Sequence, residues 1–145
     1  DPDAETFVLD SAEDLAGLSQ LTNGETPVTF AGKTILLAAD LDLAGREWHA
    51  ISENAAAGGL AFQGSFDGQG HVIRNLNNGG AAGRRTGLFG VIDKAVVKNL
   101  RIENAQVNTT DNYTRLHTGV LASWAFDSSL KTAVYRGRWR APALF

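Results

Sequence analysis

The chain has 145 residues, 43% hydrophobic and 20% charged, a balance that suits one domain with its own core and excludes a disordered chain. No apolar stretch approaches the ~20 residues of a membrane helix, and the absence of cysteine excludes disulfides, thiolate nucleophiles and zinc–thiolate sites together. The formal net charge of −3 is unevenly spread: every acid precedes residue 128, whereas Lys131, Arg136, Arg138 and Arg140 make the end basic. An acidic body argues against nucleic acid as the main partner. No basic start followed by an apolar run marks a signal peptide. The absence of methionine leads to the expectation that the sequence is a piece of a longer reading frame.

In chain order, the first predicted element is a helix over about residues 11–22. Ser11 and Asp14 have the spacing of a capping box, Ala12, Leu15, Ala16 and Leu18 supply an apolar stripe, and Asn23-Gly24 is a stop. Beyond it the pattern predicts strands. Thr34–Leu43 is a strand run, Ala61–Phe66 a short strand, Asp67-Gly68-Gln69-Gly70 a turn, and His71–Leu76 a strand. Gly79–Gly83 reads as a loop. Gly87–Ile92 and Val96–Val107 are predicted strands around an Asp93-Lys94 turn, followed by Gly119–Trp124 and Leu130–Tyr135. Short strands, glycine punctuation and no second helix make the class all-β.

A repeat narrows the architecture. Residues 71–76 read HVIRNL and residues 95–100 read AVVKNL, a shift of 24, within the range of solenoid repeats. Stacking on this shift would set Ile73 over Val97, Leu76 over Leu100 and Asn75 over Asn99. The asparagines would form a ladder at the ~4.8 Å inter-strand spacing, and Arg74 and Lys98 would point outward. A weaker copy aligns Thr86–Phe89 with Thr118–Leu121, and Val97-Lys98-Asn99 with Leu130-Lys131-Thr132, at shifts of 32 and 33. The expected fold is a short right-handed parallel β-helix of about four rungs, near 33–43, 61–78, 87–107 and 119–136, with one N-terminal capping helix. The module is expected to span residues 1–137, with 138–145 a tail outside the pattern.

The residues Phe62, Gly64, Phe66, Asp67, Gly68, Gly70, His71, Ile73, Asn75 and Leu76, then Gly87-Leu88-Phe89-Gly90, then Lys98-Asn99-Leu100, resemble the GLUG-motif repeat proteins. The segment Asp40–Leu43 with Trp48 and Ile51 is similar to what precedes those repeats. The resemblance covers roughly residues 11–107. It implies a parallel β-helix in a large bacterial surface or secreted protein, some of which are adhesins, and it supplies no ligand.

Candidate chemistry is sparse. Asp40 and Asp42 share a face at period-2 spacing and are weak calcium candidates, with Glu47 and Glu53 nearby in sequence. The plainer reading is that both accept backbone N–H bonds or cap a bend. Glu47-Trp48-His49 could be an acid, a sugar-stacking platform and a base; the plainer reading is a core Trp beside a solvent-facing His. His71 reads as a turn or strand-end bond, and His117 stands alone. Gly79–Arg85 is a flexible basic loop, most simply a connection between rungs.

These readings lead to a non-catalytic scaffold or adhesion module of an extracellular or cell-surface bacterial protein, with no catalytic residue, no cofactor and no metal assigned. Its partner would be a host or surface ligand, protein or glycan, met through loops at 53–60, 77–85 or 108–117, without nucleic acid and without membrane insertion. Two alternatives are a carbohydrate-active β-helix fragment like a polysaccharide lyase, using Asp40, Asp42, Glu47 and Trp48, and a self-assembly module. In the second, an open C-terminal rung would pair with another copy, helped by Tyr135, Trp139 and Phe145.

Overall fold

Alternation of side chains builds the first strand. In β1 (Thr6–Leu9), Leu9 is buried and Phe7 is packed against the core, while Thr6 and Val8 face out. The sequence reading had no element here. β1 runs parallel to β2 (Thr34–Leu37), with Phe7 opposite Ile35 and Leu9 opposite Leu37. The computed structural model describes residues 5–53, 60–78, 87–107, 122–126, 128–131 and 134–136.

Between those two strands lies α1 (Ala12–Asn23), within one residue of its predicted span. Its start is the expected reciprocal cap: Asp14 N–H donates to Ser11 Oγ at 3.1 Å, and Asp14 Oδ2 accepts from Asp10 N–H at 3.1 Å. Those bonds satisfy two backbone donors near the helix start. Leu15 and Leu18 are buried in the core, whereas Leu21 is exposed. The last turn is tied down by polar side chains. Ser19 Oγ donates to His49 O, Asn23 Nδ2 donates to Ala50 O, and Asn23 Oδ1 accepts from Glu53 N–H. Thr22 Oγ1 accepts from Ser52 N–H. The helix is thereby fixed against residues 49–53.

The remaining strands are short: β3 (Leu41–Asp42), β4 (Ser65–Asp67), β5 (Val72–Arg74), β6 (Asn77–Asn78) and β7 (Phe89–Asp93). They continue as β8 (Val96–Lys98), β9 (Arg101–Glu103), β10 (Gln106–Val107), β11 (Ala122–Phe126), β12 (Ser129–Lys131) and β13 (Val134–Arg136). Among the described residues they form four parallel sheets, in the orders β1-β2-β4-β8-β12, β3-β5-β9-β13, β6-β10 and β7-β11. Ile51 and Phe62 extend the last of these through bridges to Phe89 and Ile92. In the largest sheet, Phe7 opposes Ile35, Ile35 opposes Phe66, Phe66 opposes Val97 and Val97 opposes Leu130. Paired strands are therefore 28–33 residues apart along the chain.

That register corrects the predicted stacking. Ile73 does not lie over Val97: it opposes Leu41 on one side and Ile102 on the other, in a different sheet from Val97. Asn75 likewise meets Asn104 and not Asn99. The two phrases match because each is a strand ending in a left-handed asparagine, at φ 60° for Asn75 and 53° for Asn99. They are successive corners of the winding chain, one in each of two sheets. Asparagine recurs there because its short polar side chain tolerates the left-handed conformation better than other non-glycine residues. The fainter match at a shift of 33 is the one the pairing follows, with Val97 opposite Leu130 and Lys98 opposite Lys131.

The same corners shorten the strands. The predicted single strand over Val96–Val107 is three strands, β8, β9 and β10, broken at Asn99 and at Asn104 (φ 52°). The run at 61–66 is a bridge at Phe62 followed by β4, and His71–Leu76 contracts to Val72–Arg74. Val134–Arg136 is a strand of its own, separate from Ser129–Lys131. The predicted loops at 79–83 and 108–117 lie outside the described residues.

Inside, a chain of ring contacts crosses the molecule. Phe7 meets Phe30 at 5.6 Å, Phe30 meets Phe62 at 6.2 Å, Phe62 meets Phe89 at 5.1 Å, and Phe89 meets Phe66 edge-on at 5.5 Å. Edge-to-face pairs add to the burial of apolar area. Leu76, Leu88, Ile92 and Leu100 are buried with them.

Candidate functional site

Asp40 and Asp42, the proposed cation ligands, bind the neighbouring pass of the chain. Asp40 Oδ1 accepts from Val72 N–H at 3.0 Å and lies 3.1 Å from His71 Nδ1. Asp42 Oδ1 accepts from Asn75 Nδ2 at 2.8 Å and from Ala44 N–H at 2.8 Å, closing a bend at a left-handed Ala44. The plainer reading of both aspartates is therefore the observed one. Among the described residues, no three Asp, Glu or His side chains come together as a cation would need.

These bonds extend into a ladder. Asn104 Nδ2 donates to Asn75 Oδ1, and Asn75 Nδ2 donates to Asp42 Oδ1, so one polar side chain from each of three passes is linked. A second link joins Asn99 Nδ2 to Asp67 Oδ1, which also accepts from Gln69 N–H in the expected turn. Arg74 points outward as expected and pairs with Glu103 at 3.3 Å and with Asp40 at 3.7 Å. Lys98 points outward toward Asp67. Such exposed pairs contribute little each. Asn75→Gly should cost about 1 kcal/mol less than Asn75→Ala, because both lose the ladder but only alanine strains the left-handed backbone. Urea midpoints at equal m-value measure the difference.

The ladder has a pH signature. Hydrogen bonds from Val72 N–H and His71 hold the Asp40 carboxyl below its ordinary value, and the Asn75 amide and Ala44 N–H do the same for Asp42. Bonds from Asp10 lower Asp14 at the helix cap. A depressed folded-state value means that the unfolded chain binds the proton more readily. The stabilisation is thus complete above the ordinary aspartate range and is lost as pH falls through the folded values. Melting temperature should be flat near neutrality and drop below about pH 4. Asn replacements at Asp40 and Asp42 should flatten that drop.

Trp48 is largely buried and sits at the edge of two surface cavities. It is only 6% exposed, and its indole N–H donates to Leu88 O at 3.3 Å. His49 is turned out toward Glu53, with Nδ1 to Oε1 at 3.4 Å. A shallow cavity of about 490 Å³ lies between this segment and the last turns of α1, with Ser19, Asn23, Glu47, Trp48, His49 and Glu53 among its lining residues. The geometry brings His49 and Glu53 together and leaves Asp40 and Asp42 with their own partners on the adjoining pass. His117 and the basic pair Arg84-Arg85 lie outside the described residues.

Three of the motif glycines have a common purpose. A Cβ on Gly68 would sit 2.5 Å from Asn99 O and 2.8 Å from Leu100 Cα; one on Gly90 would sit 2.6 Å from Ser52 O. One on Gly64 would come within 2.9 Å of Phe30 O. These glycines let neighbouring passes touch backbone to backbone.

Sequence reading missed a further surface. A groove of about 520 Å³ opens between β1 and α1, lined by Phe7, Val8, Leu18, Leu21 and Phe30 with Glu13 and Asp14 on its walls. Val8 is 59% exposed and Leu21 54%. The four-residue alternation of Thr6–Leu9 was the available signal, too short to stand out beside the helix.

No family model matches the chain, and no solved structure matches it closely enough to be significant. Over 104 residues, 66% of the chain, it is 34% identical to Halomucin of Haloquadratum walsbyi. The chain spans about 1% of the length of that protein.

Proposed function

We propose that this chain is a non-catalytic scaffold module of a cell-surface or secreted repeat protein. In this reading the parallel strands are rungs of a short right-handed β-helix of the GLUG kind, closed at its N-terminal end by α1. One observation carries it: Asp40, Asp42, Asp67, Asn75, Asn99 and Asn104, the polar groups that could have done chemistry, bind one pass of chain to the next. Their chemistry is cohesion. Trp48, the residue a glycan site would need open, is part of the core. The partial likeness to a protein named Halomucin is in keeping with an extracellular setting. Ligand contact, protein or glycan, falls to the connections between rungs.

Melting with and without calcium, combined with a polysaccharide-cleavage screen, tests the proposal. The expected result is an unchanged melting temperature and no released product. Calcium-dependent stabilisation together with cleavage would replace the scaffold by a carbohydrate-active enzyme.

A further inference from the structure

The cavity beside the last turns of α1 has one sign of charge. Glu47 and Glu53 are its carboxylates, His49 is its only nitrogen base, and among the described residues no Lys or Arg lines it. The end of α1 adds to the negative side. Its last turn holds no basic residue, and a helix C-terminus carries partial negative charge. Ala16 and the small exposed part of Trp48 supply an apolar wall.

Glu53 is the group that points to a ligand. Its side chain is only 10% exposed, yet its ion-pair partner is His49 at 3.4 Å, a rim residue charged only when protonated. The chain that follows, residues 54–59, reads NAAAGG and holds no basic side chain. The backbone at this point is pinned to α1. Glu53 N–H donates to Asn23 Oδ1, and Ser52 N–H donates to Thr22 Oγ1. A carboxylate withdrawn from water without a fixed cation costs free energy, and a cation entering the cavity recovers it.

The lining selects the kind of cation. Among the described residues no three acidic or imidazole groups converge, so a metal ion lacks its ligand set. A primary ammonium asks for less, because its three donors are matched by acceptors on Glu47, Glu53 and Gln20, which all line the cavity. An alkyl stem suits Ala16 and Trp48. The volume of about 490 Å³ is that of a small-ligand site.

We infer that this cavity binds an alkylammonium ion, with Glu53 as its counter-ion. The inference goes beyond the scaffold reading, which stands whether or not the cavity is filled.

A nuclear magnetic resonance titration of the full chain tests it, with n-pentylamine as the probe and 1-pentanol as its uncharged match. Pentylamine should shift the amide signals of residues 47–53 and of the end of α1 saturably, and pentanol should not. Glu53→Gln and His49→Lys should each weaken the amine at least about tenfold, the first by removing the counter-ion and the second by placing a fixed cation beside it. Glu103→Gln, outside the cavity, should leave the affinity unchanged. A capped Gly-Lys-Gly peptide is titrated in parallel, and whichever of the two saturates at lower concentration names the source of the ammonium, a free amine or a protein lysine. Far-ultraviolet dichroism checks that each variant is folded. No saturable shift from amine or peptide, equal shifts from pentanol, or an affinity that Glu53→Gln leaves unchanged overturns the inference.

Discussion

Gly90→Ala should destabilise the protein by about 3 kcal/mol, a large share of a domain's stability. The added methyl would meet Ser52 O at 2.6 Å and Glu53 Cα at 2.7 Å. Both are backbone atoms, and Ser52 N–H is held by Thr22 while Glu53 N–H is held by Asn23. Neither can swing aside as a side chain would. Relief requires prising β7 from the preceding pass, which breaks the bonds from Gly90 N–H to Ile51 O and from Ile51 N–H to Leu88 O. Gly68→Ala should behave alike, against Asn99 and Leu100. Gly17 supplies the control: it lies in α1 with nothing near its would-be Cβ. Gly17→Ala should stabilise the chain by about 0.5–1 kcal/mol through helix propensity. Opposite signs for the same substitution, read from urea melts, distinguish close approach of backbones from a general cost of losing glycine.

Phe89→Ala should cost about 3–5 kcal/mol. Phe89 is fully buried, and its ring touches both Phe62 and Phe66. It also stands in β7 between Ile51 of the preceding pass and Ala122 of β11. Removing the ring therefore opens a void at the junction of three passes, where rigid neighbours on several sides limit collapse. Phe89→Leu should recover most of the loss, since it restores apolar volume without the ring contacts. Differential scanning calorimetry would show both effects. An alanine variant within about 0.5 kcal/mol of the parent would mean that Phe89 is at the surface and the register wrong.

Much of the local structure was legible before any coordinates. The capping box at Ser11 and Asp14 defines its helix because cap geometry involves residues three apart. The Asp67–Gly70 turn has the same local origin: Asp67 Oδ1 holds Gln69 N–H, two residues on. The plain reading of Asp40 and Asp42 was available from their position at a strand end. The register of stacking was not. HVIRNL and AVVKNL match because both obey the rule of a strand followed by a left-handed asparagine, and Asn75, Asn99 and Asn104 satisfy that rule alike.

The sequence by itself determined the parts: one capped helix, many short strands, asparagines and tight turns at the bends, and apolar residues enough to fill the space between passes. Only the tertiary structure decided which parts meet. It put Ile73 against Ile102, Phe66 against Val97 and Asn75 against Asn104, and it exposed Val8 and Leu21 at the N-terminal groove. The physical reason is range: caps and turns are fixed by bonds spanning a few residues, whereas pairing joins strands 28–33 residues apart. Connections of unequal length between them blur any single period in the sequence.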